Sequence, residues 1–165
     1  MKILIDTREQ QPFIFARYGV ETVRGTLATG DYCVEGFESR ISIERKGSLD
    51  ELVLCLSSDR GRFERELQRA ATLDFFAIVI EGSFVDLMAG RFRSRMTVNA
   101  VVESIAAFTV RHRTSFLFCG GRLQAERLTY SLLSKFEREQ RLKGSAGCGQ
   151  GGIKSLYSRE DRLHA

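Results

Sequence analysis

Asp31, Glu44 and Lys46 are the residues of this sequence whose types and spacing carry chemistry. They fall within GDYCVEGFESRISIERKGSLDEL, residues 30–52, where an alternating Ile-Ser-Ile runs straight into Glu44-Arg45-Lys46 and a further acid follows at Asp50. Gly36-Phe37 between two alternating runs suits a two-residue type II′ turn, which would set Tyr32 opposite Ile41 and Asp31 opposite Ser42. Side chains alternate along a strand, so Tyr32, Val34, Ile41 and Ile43 would share the core face. Asp31, Ser42, Glu44 and Lys46 would share the other. Asp31 and Glu44 then become diagonal neighbours, about 7–8 Å apart, within reach of one ion. Two acids with no base directly opposite repel each other unless a cation lies between them. Hard oxygen ligands in small number suit Mg²⁺, which keeps its waters and accepts phosphate oxygens. Lys46 projects the same way and could orient an attacking water and offset charge on a pentavalent phosphate. Arg45 points to the opposite face and needs an acid there, either Asp50 or one on another element. The same residues also read as a solvated strand end, and a one-residue slip would exchange the two faces.

The elements around this stretch decide whether the charges meet. Residues 2–7, KILIDT, read as a short buried strand that closes on a second charged cluster, Asp6-Thr7-Arg8-Glu9, so Asp6 or Glu9 could join the same pole of a sheet. Residues 8–24 hold the only proline, Pro12, and read as a loop. Ser48 and Glu51 form a capping box for a helix over SLDELVLCLSS. A second helix, GRFERELQRAATLD, places Phe63, Leu67 and Ala70 or Ala71 on one face, and FFAIVIEG reads as a buried strand. SFVDLMAGRFRSRM reads as a short helical turn with a basic loop. A helix with Val98, Val101, Val102, Ile105 and Phe108 on one face follows, then the strand TSFLFCG. A last helix carries a Leu128, Leu132, Phe136 stripe. The order predicts one α/β domain over 1–143, a mixed central sheet flanked by helices, with a flexible glycine-rich and polar tail over 144–165.

Composition narrows the partner. The 165 residues carry a net charge of +4, and of 25 basic residues 20 are arginine, whose planar fork suits phosphate. The segment Val85–Lys143 sets 11 basic residues against five acids, so nucleic acid is the natural partner. The four cysteines, Cys33, Cys55, Cys119 and Cys148, contain no C-x-x-C pair, which argues against structural zinc and a disulfide scaffold. No signal peptide and no apolar stretch of about 20 residues is present, which predicts an intracellular protein, cytoplasmic or nucleoid-associated, without a membrane.

Taken together, Asp6-Thr7-Arg8-Glu9, Gly30-Asp31-Tyr32, Glu44-Arg45-Lys46 with Asp50, and IVIEG at 78–82 resemble the nuclease domain of the XPF-type structure-specific endonucleases, over residues 2 to 140. The resemblance implies a restriction-endonuclease-like fold and Mg²⁺- or Mn²⁺-dependent phosphodiester cleavage in branched DNA (flaps, forks, junctions) during repair or recombination. Carried over by position, Asp31 and Glu44 look like metal ligands, Asp6 like a further metal-linked catalytic acid, and Lys46 like the catalytic lysine. Arg8, Glu9, Arg45 and Asp50 match supporting positions. Members of the family tend to pair through this domain, which makes a homodimer an expectation. The departure is that these 165 residues show no paired glycine-bearing hairpins of the tandem helix-hairpin-helix kind, a region that helps related proteins to grip branched DNA.

Beyond the motif, Arg91, Arg93 and Arg95 alternate beside Phe92 as a candidate DNA-backbone loop, and Arg60 and Arg62 open a helix where they could touch phosphate. No small-molecule cofactor is expected. The competing reading is a catalytically silent DNA-binding or scaffolding subunit of a nuclease complex, which retention of Asp31, Glu44 and Lys46 disfavours. A third is a nuclease acting on RNA or on ordinary duplex ends.

Overall fold

The apolar run FFAIVI forms the spine of the molecule, as its lack of alternation requires of a strand covered on both faces. The computed structural model describes residues 1–146. Six strands build one sheet: β1 (Lys2–Asp6), β2 (Glu21–Gly25), β3 (Tyr32–Val34), β4 (Ile41–Lys46), β5 (Phe75–Ile80) and β6 (Ser115–Phe118). Their order is β2-β1-β3-β4-β5-β6. β4, β5 and β6 run parallel, β3 is antiparallel to both its neighbours, and β2 is parallel to β1. The sheet is therefore mixed, as expected.

Helices cover both faces. α1 (Leu49–Leu56), α2 (Arg60–Ala70) and α4 (Val98–His112) pack Leu52, Phe63, Leu67, Val101 and Phe108 against Phe76, Ile78 and Ile80. The long α5 (Arg122–Ala146) covers the other side, where Ala125 and Leu133 meet Tyr32, Val34, Ile41, Ile43, Ala77 and Val79. α3 (Phe84–Met88) is a short turn after β5. α5 continues past the point where the tail was expected to begin; the rest of that tail, 147–165, lies outside the described residues. Among the described residues no helix is long and apolar enough to cross a membrane.

Two expectations change. The loop expected over residues 8–24 gives way at its end to β2, an edge strand whose sequence, ETVRG, is mostly exposed and so shows no apolar alternation. The β3–β4 connection is not a two-residue II′ turn. A first turn closes with the Phe37 N–H on Val34 O (2.9 Å), with Gly36 at φ 86°, and a second runs from Phe37 to Arg40 (2.9 Å). The longer connection pairs Tyr32 with Ile43 rather than Ile41. An offset of two leaves the faces unchanged, so Tyr32, Val34, Ile41 and Ile43 do share one core layer. It also draws Asp31 up alongside the Ile43–Arg45 segment.

Candidate active site

The directions of the strands gather charge at one end of the sheet. β1, β4 and β5 end there and β3 begins there, so Arg8, Glu9, Asp31, Glu44, Arg45, Lys46 and Glu81 all line one cleft of about 650 Å³. Crevices beyond the carboxyl ends of strands are where open α/β sheets place their ligands.

Asp31 is fixed by its backbone on both sides: its N–H donates to Ile43 O (2.9 Å) and its carbonyl accepts from Asp6 N–H (2.8 Å). Its carboxylate Oδ2 accepts the N–H of Arg45 at 2.7 Å. Gly30 makes this approach possible. It sits at φ 77°, and a Cβ there would lie 2.0 Å from Ser42 Oγ. Glu44 is buried, and Lys46 Nζ donates to its Oε1 at 2.6 Å. Lys46 Nζ also lies 5.4 Å from the Phe63 ring centroid and 3.8 Å from Glu51 Oε1. The two carboxyls are pushed up, Asp31 to about 8 and Glu44 to about 7, by burial above all. The charge of Glu44 adds to the rise at Asp31, while at Glu44 the Lys46 ammonium pulls down and Glu66 pushes up. For Lys46, burial favours the neutral amine, but Glu44 outweighs it and the ammonium is held.

Arg45 leaves β4 on the opposite face and is buried among acids: Nε donates to Glu81 Oε1 at 2.6 Å, and Nη1 stands 3.5 Å from Glu9 Oε2. Its partners are therefore on other elements and are not Asp50. Asp50 instead accepts the N–H of Arg93 at 2.6 Å and tethers the basic loop to the start of α1. Ser48 caps α1 as expected, accepting the Glu51 N–H at 3.1 Å, while Glu51 reaches back to the Gly47 N–H (2.8 Å).

Asp6 is placed differently from the expectation of a metal-linked acid. Its carboxylate is buried, absent from the cleft lining, and accepts four hydrogen bonds: from Arg8 Nε (2.7 Å), Nη2 (3.0 Å) and N–H (2.8 Å), and from the Leu27 N–H (2.7 Å). Burial alone would raise its pKa, but these donors outweigh it and hold the group below the usual carboxylate range. Asp6 anchors Arg8, and Arg8 is what faces the cleft.

Of the arginines, Arg62 lies on the cleft rim and pairs with Asp59 at 2.8 Å. Arg60 does not reach outward. Its Nη1 donates to Leu56 O (3.2 Å) and Ser104 Oγ (3.1 Å), and its guanidinium lies 4.5 Å from the Phe108 ring, so it joins α1, α2 and α4. Arg91 pairs with Asp86 (2.5 Å), Arg93 with Asp50, and Arg95 is exposed; none of the three lines the cleft. Sequence reasoning missed Glu66 and Arg69, which α2 turns into the cleft beside Arg62, and Arg122 at the start of α5. The i, i+4, i+7 spacing of Arg62, Glu66 and Arg69, one step ahead of the Phe63, Leu67, Ala70 core face, was the available signal.

A divalent cation fits the donor set. Both carboxyls are pushed toward neutrality by burial, with the charge of Glu44 adding at Asp31 and that of Glu66 at Glu44, and a cation would relieve this. Among the described residues no three His, Cys, Asp or Glu side chains form a ready cage. Mg²⁺ and Mn²⁺ are held by one or two carboxylates and waters in such settings, so the sparse set is compatible with them.

The ERCC4 domain family matches residues 5–132. No protein of curated function matches the chain. Two similar solved structures are XPF from Aeropyrum pernix and the same protein in complex with DNA. The first has a TM-score of 0.68 at 21% identity and covers 89% of this chain and 69% of its own. The second has a TM-score of 0.66 at 21% identity, covering 84% and 66%. At that identity the structures carry the fold, which is restriction-endonuclease-like, and the family match carries the kinship: the chain belongs to the ERCC4-domain family of XPF-type nucleases.

Proposed function

We propose that the chain is a Mg²⁺- or Mn²⁺-dependent DNA endonuclease that hydrolyses phosphodiester bonds in branched DNA, in repair or recombination. The observation that carries this reading is the meeting of Asp31, Glu44 and Lys46 in one polar cleft rimmed by Arg8, Arg62 and Arg69. Asp31 and Glu44 would hold the cation, which when bound polarises the scissile phosphate and lowers the pKa of water. Lys46, kept charged by Glu44, stands where it can orient the attacking water and offset charge developing on the phosphate. Arg8, fixed by Asp6, and Arg62 and Arg69 on α2 take flanking phosphates without reading sequence. Water is the nucleophile, and no covalent intermediate with the protein is required.

The related structure with DNA supports nucleic acid as the partner, and pairing of two copies is proposed from the family resemblance of the sequence. Size-exclusion chromatography with light scattering is expected to give twice the chain mass of 18.6 kDa; a monomer at high concentration would remove the pairing. The substrate reading is tested by salt-titrated binding and cleavage of labelled flap, fork, duplex, single-stranded DNA and RNA with Mg²⁺ or Mn²⁺. Preferential cutting of flap or fork is expected. Equal cutting of linear duplex would move the substrate to ordinary ends, and binding without cutting in either metal would move the chain to a silent subunit.

A further inference from the structure

Arg122 occupies the first position of α5, where the helix dipole disfavours a cation. What holds it there is an ion pair with Glu81 and a set of contacts to one loop. Its Nη2 donates to Gln11 O at 2.9 Å and Pro12 O at 2.8 Å, its Nη1 donates to Glu81 Oε1 at 3.1 Å, and its guanidinium lies 5.1 Å from the Phe13 ring. The same Glu81 oxygen accepts from Arg45, and Arg45 faces Glu9, whose Oε1 accepts the Gln11 N–H at 2.6 Å. Phe13 completes the circuit: its N–H donates to the Tyr32 hydroxyl (3.0 Å) and its ring stacks on Tyr32 at 5.1 Å. Just beyond, the buried Phe15 adopts φ 55°, a left-handed conformation that a bulky residue keeps only where its surroundings over-determine it.

The segment 9–13 is thus clamped from β3, β4 and α5 at once, yet it projects polar groups. Gln10 and Gln11 are exposed, both line the cleft, and among the described residues their side-chain amides have no partner. A free side-chain amide carried on a firmly held backbone beside a phosphate-handling cleft suits the sequence-independent contacts that position a nucleic-acid backbone. Rigidity matters because a loosely held contact loses much of the benefit of orientation.

We propose that Arg122 is a positioning residue: it holds the loop of residues 9–13 as one bank of the cleft, so that Gln10 and Gln11 present their amides to the substrate backbone beside the scissile phosphate. The proposal rests on the nuclease reading and adds to it a substrate-contacting bank opposite α2.

The test uses the full chain with Arg122→Ala and Arg122→Lys, each also in a Gln10→Ala/Gln11→Ala background. Hydrogen exchange at the Gln11 and Phe13 amides is expected to accelerate about tenfold or more in Arg122→Ala, with the amides of β4 and β5 unchanged. On cleaved DNA, KM is expected to rise about tenfold with kcat changed far less, and the same substitution should add less than about twofold in the glutamine-free background, because it acts through those side chains. Arg122→Lys, which keeps the charge beside Glu81 but loses the fork onto two carbonyls, should recover part of the loss. Unchanged exchange overturns the clamp, and an equal loss in both backgrounds overturns the role assigned to the glutamines, since Arg122 would then meet DNA itself. Should wild type cut no nucleic acid, the nuclease reading falls while the exchange result still decides the clamp.

Discussion

At Gly30 the positive φ and the 2.0 Å approach to Ser42 Oγ leave no room for a side chain, and Asp31 follows directly. Gly30→Ala is therefore expected to lower stability by about 1–3 kcal/mol and to shift Asp31 out of place, so thermal unfolding and cleavage should fall together. Lys46→Met removes the ammonium but keeps much of the stem; cleavage should drop about 10²–10³-fold with DNA binding largely kept, and melting should fall most at alkaline pH, where Glu44 is left buried without its partner. The carboxyl pair makes a prediction about pH. Both groups are raised from ordinary values of 3.8 and 4.5, Asp31 to about 8 and Glu44 to about 7, so the folded chain binds more protons than the unfolded one between those limits. That stabilisation is complete below about 4 and lost as pH rises through 7 to 8. In EDTA the melting temperature of wild type should fall from pH 5 to pH 8.5 relative to an Asp31→Asn/Glu44→Gln protein, and Mg²⁺ or Mn²⁺ should restore it mainly at the alkaline end. A wild-type curve parallel to that of the double variant would contradict the shifts.

Among elements, α2 separates two kinds of arginine that look alike in sequence. Arg62 and Arg69 lie along the cleft, whereas Arg60 turns back onto Phe108 and Ser104. Arg62→Ala and Arg69→Ala should each reduce the slope of log K against log salt by about 0.9 on duplex-containing DNA. Arg60→Ala should leave the slope unchanged and lower the melting temperature instead. The same contrast marks what was legible. The alternation of Tyr32, Val34, Ile41 and Ile43 gave the correct core face, and with it the pole where Glu44 and Lys46 stand, because a two-residue offset preserves side-chain parity. The turn itself was not legible: Gly36-Phe37 matches a short hairpin, but Phe37 packs edge-on to Phe136 of α5 (5.8 Å), a tertiary contact that local turn chemistry does not reveal. β2 escaped because an edge strand with mostly exposed side chains carries no periodic signal. Asp6 looked like an active-site acid since its type and place suit one, and only the four donors around it show that it serves Arg8.

Over the whole molecule, the sheet sorts its buried charges by face. Glu44 and Lys46 point toward α1 and α2, and Arg45, between them in sequence, joins Glu9, Glu81 and Arg122 on the side of α5. One strand thus supplies the cleft with Glu44 and Lys46, the groups proposed to react, and through Arg45 between them with the network proposed to hold one bank. Glu81→Gln should disturb both Arg45 and Arg122; its cost in stability should exceed that of Arg122→Ala, because the buried Arg45 then loses the nearer of its two acids and the half-exposed Arg122 loses its only one among the described residues.

The measurement that bears most directly on this account is single-turnover cleavage of a labelled flap substrate, with Mg²⁺ or Mn²⁺, by wild type, Asp31→Asn and Glu44→Gln at saturating protein. Wild type should cut only with the cation present, and each variant should lose about 10³-fold or more while binding the DNA as tightly as before. Cutting by either variant near the wild-type rate, or undiminished cutting by wild type in EDTA, would contradict the assignment of Asp31 and Glu44 as the carboxylates of the reaction.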